Sequence, residues 1–297
     1  MDIKKAKTRK GKKALEDKES KKIENGKQVV FMKASKTSQI IIDCMAELYN
    51  MKVPLGIKFV KRNDIRPFED SASVEFISQK SDASLMVLAS HSKKRPHQFC
   101  FVRLYNYQIL DMYELGVINY VKSTAIAKDA TLLPDSGTRP FLSFVGDWDA
   151  NLEVKNLQNY FSDFFRGDPS TDKIALDGNK WVISFTLDSA SSRESTSKDN
   201  SITNGKIFMR CYSVVLKKSE LSLPIAELVE IGPRIDYELR RVQFPQQDVW
   251  KQSVKMPKEP KKQKNVSKTE MGDLVARVYV EPQDLGDLQP RKLKGLK

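Results

Sequence analysis

Nearly all the excess charge of this chain sits at its two ends, which confines a packed fold to the middle. Residues 1–27 carry 11 Lys/Arg against 5 acids, and residues 251–297 carry 12 against 6, each a net +6. Residues 28–250 hold 28 basic and 27 acidic side chains, so of the formal +13 only 28 − 27 = +1 belongs there. The ends are also poorest in aromatics, and like-charged, aromatic-poor segments cannot bury enough apolar surface to offset the entropy of ordering. With 14 Phe, 9 Tyr and 3 Trp and 40% hydrophobic residues overall, the middle can build a core. Wholesale disorder is excluded, and so is a collagen-like chain, with Gly and Pro at 13 each.

No apolar run approaches the roughly 18 residues that a membrane span needs, so no membrane association is expected. The basic N-terminus has no apolar stretch behind it and does not read as a secretory signal. Cys44, Cys100 and Cys211 are odd in number and far apart, giving neither a disulfide framework nor a CxxC knuckle. The chain reads as intracellular and reduced.

Charge divides the middle as well. Residues 28–103 carry 12 basic and 7 acidic residues, and residues 104–200 carry 9 and 14, so a +5 lobe adjoins a −5 lobe. The basic lobe suits polyanions; the acidic stretch repels them and is a candidate docking face for a basic partner. The terminal tails fit either solubilising arms or arms that bind nucleic acid by phosphate neutralisation.

Apolar spacing of three and four at Ile41, Met45, Leu48 and Tyr49 predicts a helix after QVVFM, with Thr37 or Ser38 as N-cap. Val74–Gln79, Leu85–Ser90 and Phe99–Tyr105 read as strands, and Lys58–Asp70 as an ordered loop. The plan then repeats: a strand over Phe141–Val145, a turn, a helix over Leu152–Phe165, then strands over Trp181–Leu187 and Ile207–Leu216. Ser189–Asn204 reads as a mobile loop. A last strand, Glu227–Val242, is broken at Gly232-Pro233; beyond it, Pro257 and Pro260 among lysines mark a linker, and Leu274–Val280 suggests a short element formed on a partner. This is a weak internal duplication of an α/β unit.

Motifs for catalysis are missing. There is no GxxxxGK[ST], no GxGxxG after a strand, no HExxH and no GxSxG, and His91 and His97 are the only histidines. These two flank a basic cluster and are expected to stack or hydrogen-bond rather than bind metal. No catalytic residue, metal or cofactor is expected. A magnesium-dependent nuclease would require clustered carboxylates in a cleft, for which Asp147, Asp149 and Glu153 are the candidates.

Three segments stand out. In Ser90–His97 (SHSKKRPH), Lys93, Lys94 and Arg95 cannot be buried unpaired and project from a strand end, as a charged hairpin tip, an import patch or an RNA contact. In Lys58–Asp70, the cations Lys58, Lys61, Arg62 and Arg66 interleave with Phe59 and Phe68, a composition that loop or single-stranded RNA contacts use. The alternative there is inward-packed Phe and local neutralisation by Asp64, Glu69 and Asp70. In Glu230–Arg241, Gly232 frees the backbone and Pro233 fixes it; Arg234 pairs with Asp236 or contacts RNA, while Arg240 and Arg241 point to opposite faces.

GPR followed by LRR near the end of an α/β core resembles the hallmark of the Brix domain, a module of eukaryotic ribosome-assembly factors. KTSQ (Lys36–Gln39), NDIRPFED (Asn63–Asp70), SHSKKRP (Ser90–Pro96), LDMYELG (Leu110–Gly116), GTRPFLSF (Gly137–Phe144) and FFRG (Phe164–Gly167) point to one branch of that family. The resemblance covers roughly residues 28–245. It implies an α/β Brix domain of two similar halves, about 28–135 and 136–245, with basic, largely disordered extensions at 1–27 and 246–297.

It further implies a non-enzymatic nuclear, nucleolar factor working as an obligate pair with the regulator of ribosome synthesis protein. Such a pair recruits 5S rRNA and its two associated large-subunit ribosomal proteins to pre-ribosomal large-subunit rRNA. On this reading RNA is held by Lys36, Lys58, Lys61, Arg62, Arg66, Lys93, Lys94, Arg95 and Arg103 from the first half, and by Arg234, Arg240 and Arg241 from the closing strand. The rivals are a nuclease built on Asp147, Asp149 and Glu153, and a purely protein-bridging scaffold.

Overall fold

After a short basic helix, α1 (Arg9–Lys18), the chain enters a sheet at β1 (Val29–Ala34) and continues through α2 (Gln39–Lys52), β2 (Gly56–Asn63), α3 (Ser71–Ser81), β3 (Leu85–Ser90), β4 (Gln98–Tyr105) and β5 (Gln108–Val121). A one-turn helix, α4 (Ser123–Ile126), and a 3-10 turn lead to β6 (Phe141–Val145), α5 (Leu152–Phe165), β7 (Trp181–Leu187), β8 (Lys206–Lys217), β9 (Ile225–Glu230), β10 (Arg234–Gln243) and α6 (Gln247–Val254). The computed structural model describes residues 7–18, 25–127, 129–134, 137–167, 180–188, 205–218, 224–255, 264–271 and 273–283. These fall into two units, residues 23–255 and a smaller one of 1–22 with 256–297. Besides α1, the smaller unit holds an antiparallel pair, β11 (Val266–Lys268) and β12 (Leu274–Ala276).

The main unit is built on one sheet in the order β2-β1-β3-β4-β5-β10-β8-β7-β6, with β9 pairing the remaining length of β8. β1 runs parallel to β2 and β3, and β6 parallel to β7; the other pairs are antiparallel. The path β1-β3-β4-β5 therefore recurs as β6-β7-β8-β10, with α5 after β6 as α2 follows β1. The duplication is real, and the two copies meet where β10 pairs with β5, from Arg234↔Val121 to Gln243↔Met112. The GPR…LRR segment is thus the seam of the molecule.

One sheet face carries the larger core. Ile41, Cys44, Met45 and Leu48 of α2 and Leu157, Tyr160, Phe161 and Phe164 of α5 are buried on it at helical spacing. Helix α5 bridges the copies: Phe164 meets Phe31 and Phe101, while Phe161 stacks on Phe185 with centroids 4.5 Å apart. A smaller core on the other face joins Val74 of α3 to Val30, Met32, Met86, Leu88, Cys100 and Val102.

Two segments differ from expectation. Val74–Gln79 lies in α3, not in a strand. Its apolar residues fit either period, and Asp70 settles the matter by capping the helix, accepting from the Ser73 amide at 3.2 Å, with Val74 and Ser78 turned inward one turn apart. The expected loop Lys58–Asp70 begins as β2, the edge strand, because Ile57 and Phe59 alternate inward onto the smaller core. Ser38 does occupy the N-cap of α2, although its hydroxyl does not cap the helix. The loop read at Ser189–Asn204 and the linker around Pro257 and Pro260 lie outside the described residues.

Candidate nucleic-acid interface

Because β1, β2 and β3 are parallel, their C-terminal ends open on the same side, and three of the family-like segments leave the sheet together there. The His91 amide donates to the Lys36 carbonyl at 2.9 Å, and an Arg62 guanidinium N–H reaches the Ser35 carbonyl at 3.5 Å. From the seam, Arg240 Nη1 donates to the Pro96 carbonyl at 2.8 Å. A crevice beyond the carboxyl ends of parallel strands is the ordinary binding position of open α/β sheets.

The β3–β4 turn is held from within. Ser92 N donates to the Arg95 carbonyl, and Arg95 N donates to Ser92 Oγ, both at 3.1 Å. His97, at φ +46°, donates its amide to His91 Nδ1 at 3.2 Å, and the two rings lie 4.8 Å apart. Ser38 Oγ hydrogen-bonds His97 Nδ1 at 2.7 Å, tying the turn to the start of α2. The rings are tilted 57° to each other, so the histidines hydrogen-bond rather than stack, with exposed Lys93 and Lys94 at the apex of the turn. Burial, then His91 and Arg240, hold the His97 pKa below the ordinary histidine value.

The twelve expected cations divide sharply. Lys36, Lys61, Arg62, Lys93 and Lys94 are exposed and have no ion pair among the described residues. Lys58 is exposed too, farther down β2, with its ammonium 5.6 Å from the Tyr49 ring centre. The others pair with groups of the protein itself, although Arg66 and Arg234 do so at the exposed surface. Arg66 pairs with Glu69 at 3.0 Å, and Arg234 makes a two-pronged pair with Glu230 at 2.5 Å, not with Asp236, which Arg210 holds at 2.7 Å. Arg240 adds Glu238 at 3.2 Å to its Pro96 contact.

Arg95 and Arg241 converge on Glu114, at 3.5 and 2.5 Å, and the Arg241 guanidinium lies 4.2 Å from the Phe68 ring centre. Arg103 is no RNA contact at all. It is buried beneath α5, donating to Asp111 Oδ1 at 3.0 Å and to Asn159 Oδ1 at 2.7 Å. A guanidinium so enclosed has no path to a phosphate.

Phe59 and Phe68 pack on the smaller core, so they offer no platform for stacking bases. The acidic stretch is partly consumed as well: Asp111, Glu114 and Asp163 answer Arg103, Arg95, Arg241 and Lys27 internally. Of the acidic trio, Asp147 and Asp149 are exposed, and Asp149 pairs with Lys155 at 2.8 Å. Among the described residues no group of three or more His, Cys, Asp or Glu is arranged to hold a metal.

Sequence reasoning overlooked Glu114. Its carboxylate is fully buried, and it decides that two of the expected contacts are internal. A charged residue within the apolar run LDMYELG was the available signal, since a buried charge demands a partner.

Comparison with known proteins places this arrangement. The Brix domain family matches residues 34–241. The Ribosome production factor 2 homolog of Schizosaccharomyces pombe is 42% identical over 296 residues, covering 99% of this chain and 90% of the relative. The homologue of that name in Homo sapiens is 39% identical over 271 residues, 90% and 82% of the two chains. The Ribosome biogenesis protein RPF2 of Saccharomyces cerevisiae is 38% identical over 299 residues, 99% and 84%. The chain belongs to the Brix-domain family and, within it, to the ribosome production factor 2 homologues.

Proposed function

We propose that this ribosome biogenesis factor holds ribosomal RNA at the open end of β1–β3 and makes or breaks no bond. Lys36, Lys61, Arg62, Lys93 and Lys94 supply phosphate contacts, with Lys58 extending the track along β2. Acting with the regulator of ribosome synthesis protein as obligate partner, the chain brings 5S rRNA and its two associated ribosomal proteins to large-subunit precursors in the nucleolus. Later large-subunit rRNA maturation then depends on it. Phosphate contacts give affinity, and RNA shape and protein partners give selectivity.

The observation that carries this reading is the gathering, from three separate segments onto one end of the sheet, of cations with no ion pair among the described residues. The test is 5S rRNA binding by the Lys93→Glu, Lys94→Glu variant across a salt series. Each lost phosphate contact reduces the slope of log affinity against log salt by about 0.7–0.9. The expected result is a loss of tenfold or more with a shallower slope and an unchanged circular dichroism spectrum. Unchanged affinity and slope would reject the interface.

A further inference from the structure

The basic turn carries a hydroxyl that the functional reading leaves unused. Five hydroxyls lie at or just beyond the C-terminal ends of β1 and β3: Ser35, Thr37, Ser38, Ser90 and Ser92. Thr37 Oγ1 and Ser90 Oγ are buried, and Ser38 Oγ is held by His97 Nδ1 at 2.7 Å. Ser35 and Ser92 belong to exposed residues. Only Ser92 opens a basic run, with Lys93, Lys94 and Arg95 directly after it; Ser35 is followed by Lys36 alone before Thr37 and Ser38.

The turn presents Ser92 outside the sheet, with Lys93, Lys94 and Pro96 also exposed around it. Ser92 Oγ accepts from the Arg95 amide at 3.1 Å, so a phosphoryl group on that oxygen would begin beside a backbone N–H. The charge of Arg95 is already answered by Glu114 at 3.5 Å. That leaves Lys93 and Lys94, together +2, as the apex charges with no ion pair among the described residues. A phosphoserine carries about −1.5 to −2 at pH 7. One phosphate on Ser92 therefore cancels the charge that the apex offers to RNA.

We propose that Ser92 is a phosphorylation site whose modification releases RNA from the basic turn. The modifying enzyme is a protein kinase with an acidic groove for the basic run after the serine. Ser92 Oγ forms the new bond to the γ-phosphorus of ATP as the bond to the β,γ-bridging oxygen breaks. ADP leaves, and the hydroxyl proton passes to the base of the kinase. The proposal rests on the reading above that Lys93 and Lys94 hold RNA, and it adds how that hold is switched off.

The test treats the full chain with protein kinase C and ATP, maps the phosphates by mass spectrometry and measures 5S rRNA affinity across a salt series. Phosphate on Ser92 is expected, with affinity falling tenfold or more and returning after phosphatase. Two lost contacts should reduce the salt slope by about 1.4–1.8. Ser92→Ala, treated alongside, should show no kinase-dependent change, which separates Ser92 from phosphates elsewhere in the chain. No phosphate on Ser92, or phosphate on Ser35 in its place, overturns the proposal. So does phosphate on Ser92 with affinity and slope unchanged. If Lys93→Glu, Lys94→Glu weakens binding in that last case, the functional reading stands; if it does not, both fall.

Discussion

Arg103 of β4 and Asp111 of β5 face each other as a buried ion pair under α5, in the middle of what would otherwise be an aromatic core. Burial opposes the charge on Arg103, but the hydrogen bond and charge of Asp111, reinforced by Asp163, outweigh it and keep the guanidinium protonated. Asn159 and Asp163 belong to α5, from the second copy of the unit, whereas Arg103 and Asp111 belong to the first. The pair therefore fixes how the copies pack.

Removing one member should unfold the chain more readily than removing both. Arg103→Met leaves Asp111 buried without its partner, and such orphaned charges cost about 3–5 kcal/mol. Arg103→Met with Asp111→Leu should lose clearly less, because no charge is stranded. Urea denaturation of the single and double variants measures this, and equal losses would deny the coupling.

Much of this architecture was legible in the sequence, because the apolar periods of α2, α5, β3, β4, β7 and β8 are unambiguous. VEFISQ was not, since its apolar residues satisfy either period and the deciding contact is the Asp70 cap. For the site, the segments were visible but their allegiance was not. Lys93 and Arg95 are neighbours in one basic run, yet one has no ion pair among the described residues and the other meets a carboxylate 19 residues away. No local pattern distinguishes them, because the partner is brought in by the β4–β5 register.

Glu114 makes a second stability prediction. Arg241→Ala removes its closest partner and leaves, among the described residues, Arg95 at 3.5 Å. A loss of about 2–3 kcal/mol is expected, with most of it recovered by adding Glu114→Gln, which removes the buried charge. Without that rescue, the loss would instead trace to the packing of Arg241 on Phe68.

Lys52 gives a pH dependence of definite sign. Burial lowers its pKa to about 8; Asp163 opposes the shift and Lys27 adds to it. The unfolded chain holds this proton up to the ordinary lysine value of 10.5, so between pH 8 and 10.5 the unfolded state binds more protons and stability rises with pH. Relative to Lys52→Met, the wild type should gain on the order of 1–2 kcal/mol from pH 7 to pH 9.5. Paired denaturation curves at the two pH values read the difference directly.

His97 should titrate below the ordinary histidine value in an NMR series. Its folded pKa is depressed, so whatever stability it contributes is present above pH 6.5 and is lost as pH falls further. Arg240→Ala removes one of the charges responsible and should raise that pKa without disturbing Ser38. An unmoved His97 pKa would place the cause in burial and His91.

Two glycines of the seam should respond differently to the same methyl group. Gly232 sits at φ +71°, and a Cβ there would lie 2.9 Å from Ile126 Cδ1 and 3.0 Å from the Ser123 Cα. Backbone strain and a backbone neighbour together predict that Gly232→Ala costs about 2 kcal/mol or more. At Gly116 a Cβ would meet the Arg240 guanidinium at 2.2 Å, a nearer clash but with the far end of a flexible side chain. Gly116→Ala should therefore cost less than about 1 kcal/mol, displacing Arg240 from Pro96 and loosening the basic turn. A loss at Gly116 equal to that at Gly232 would show Arg240 to be as rigidly held as backbone.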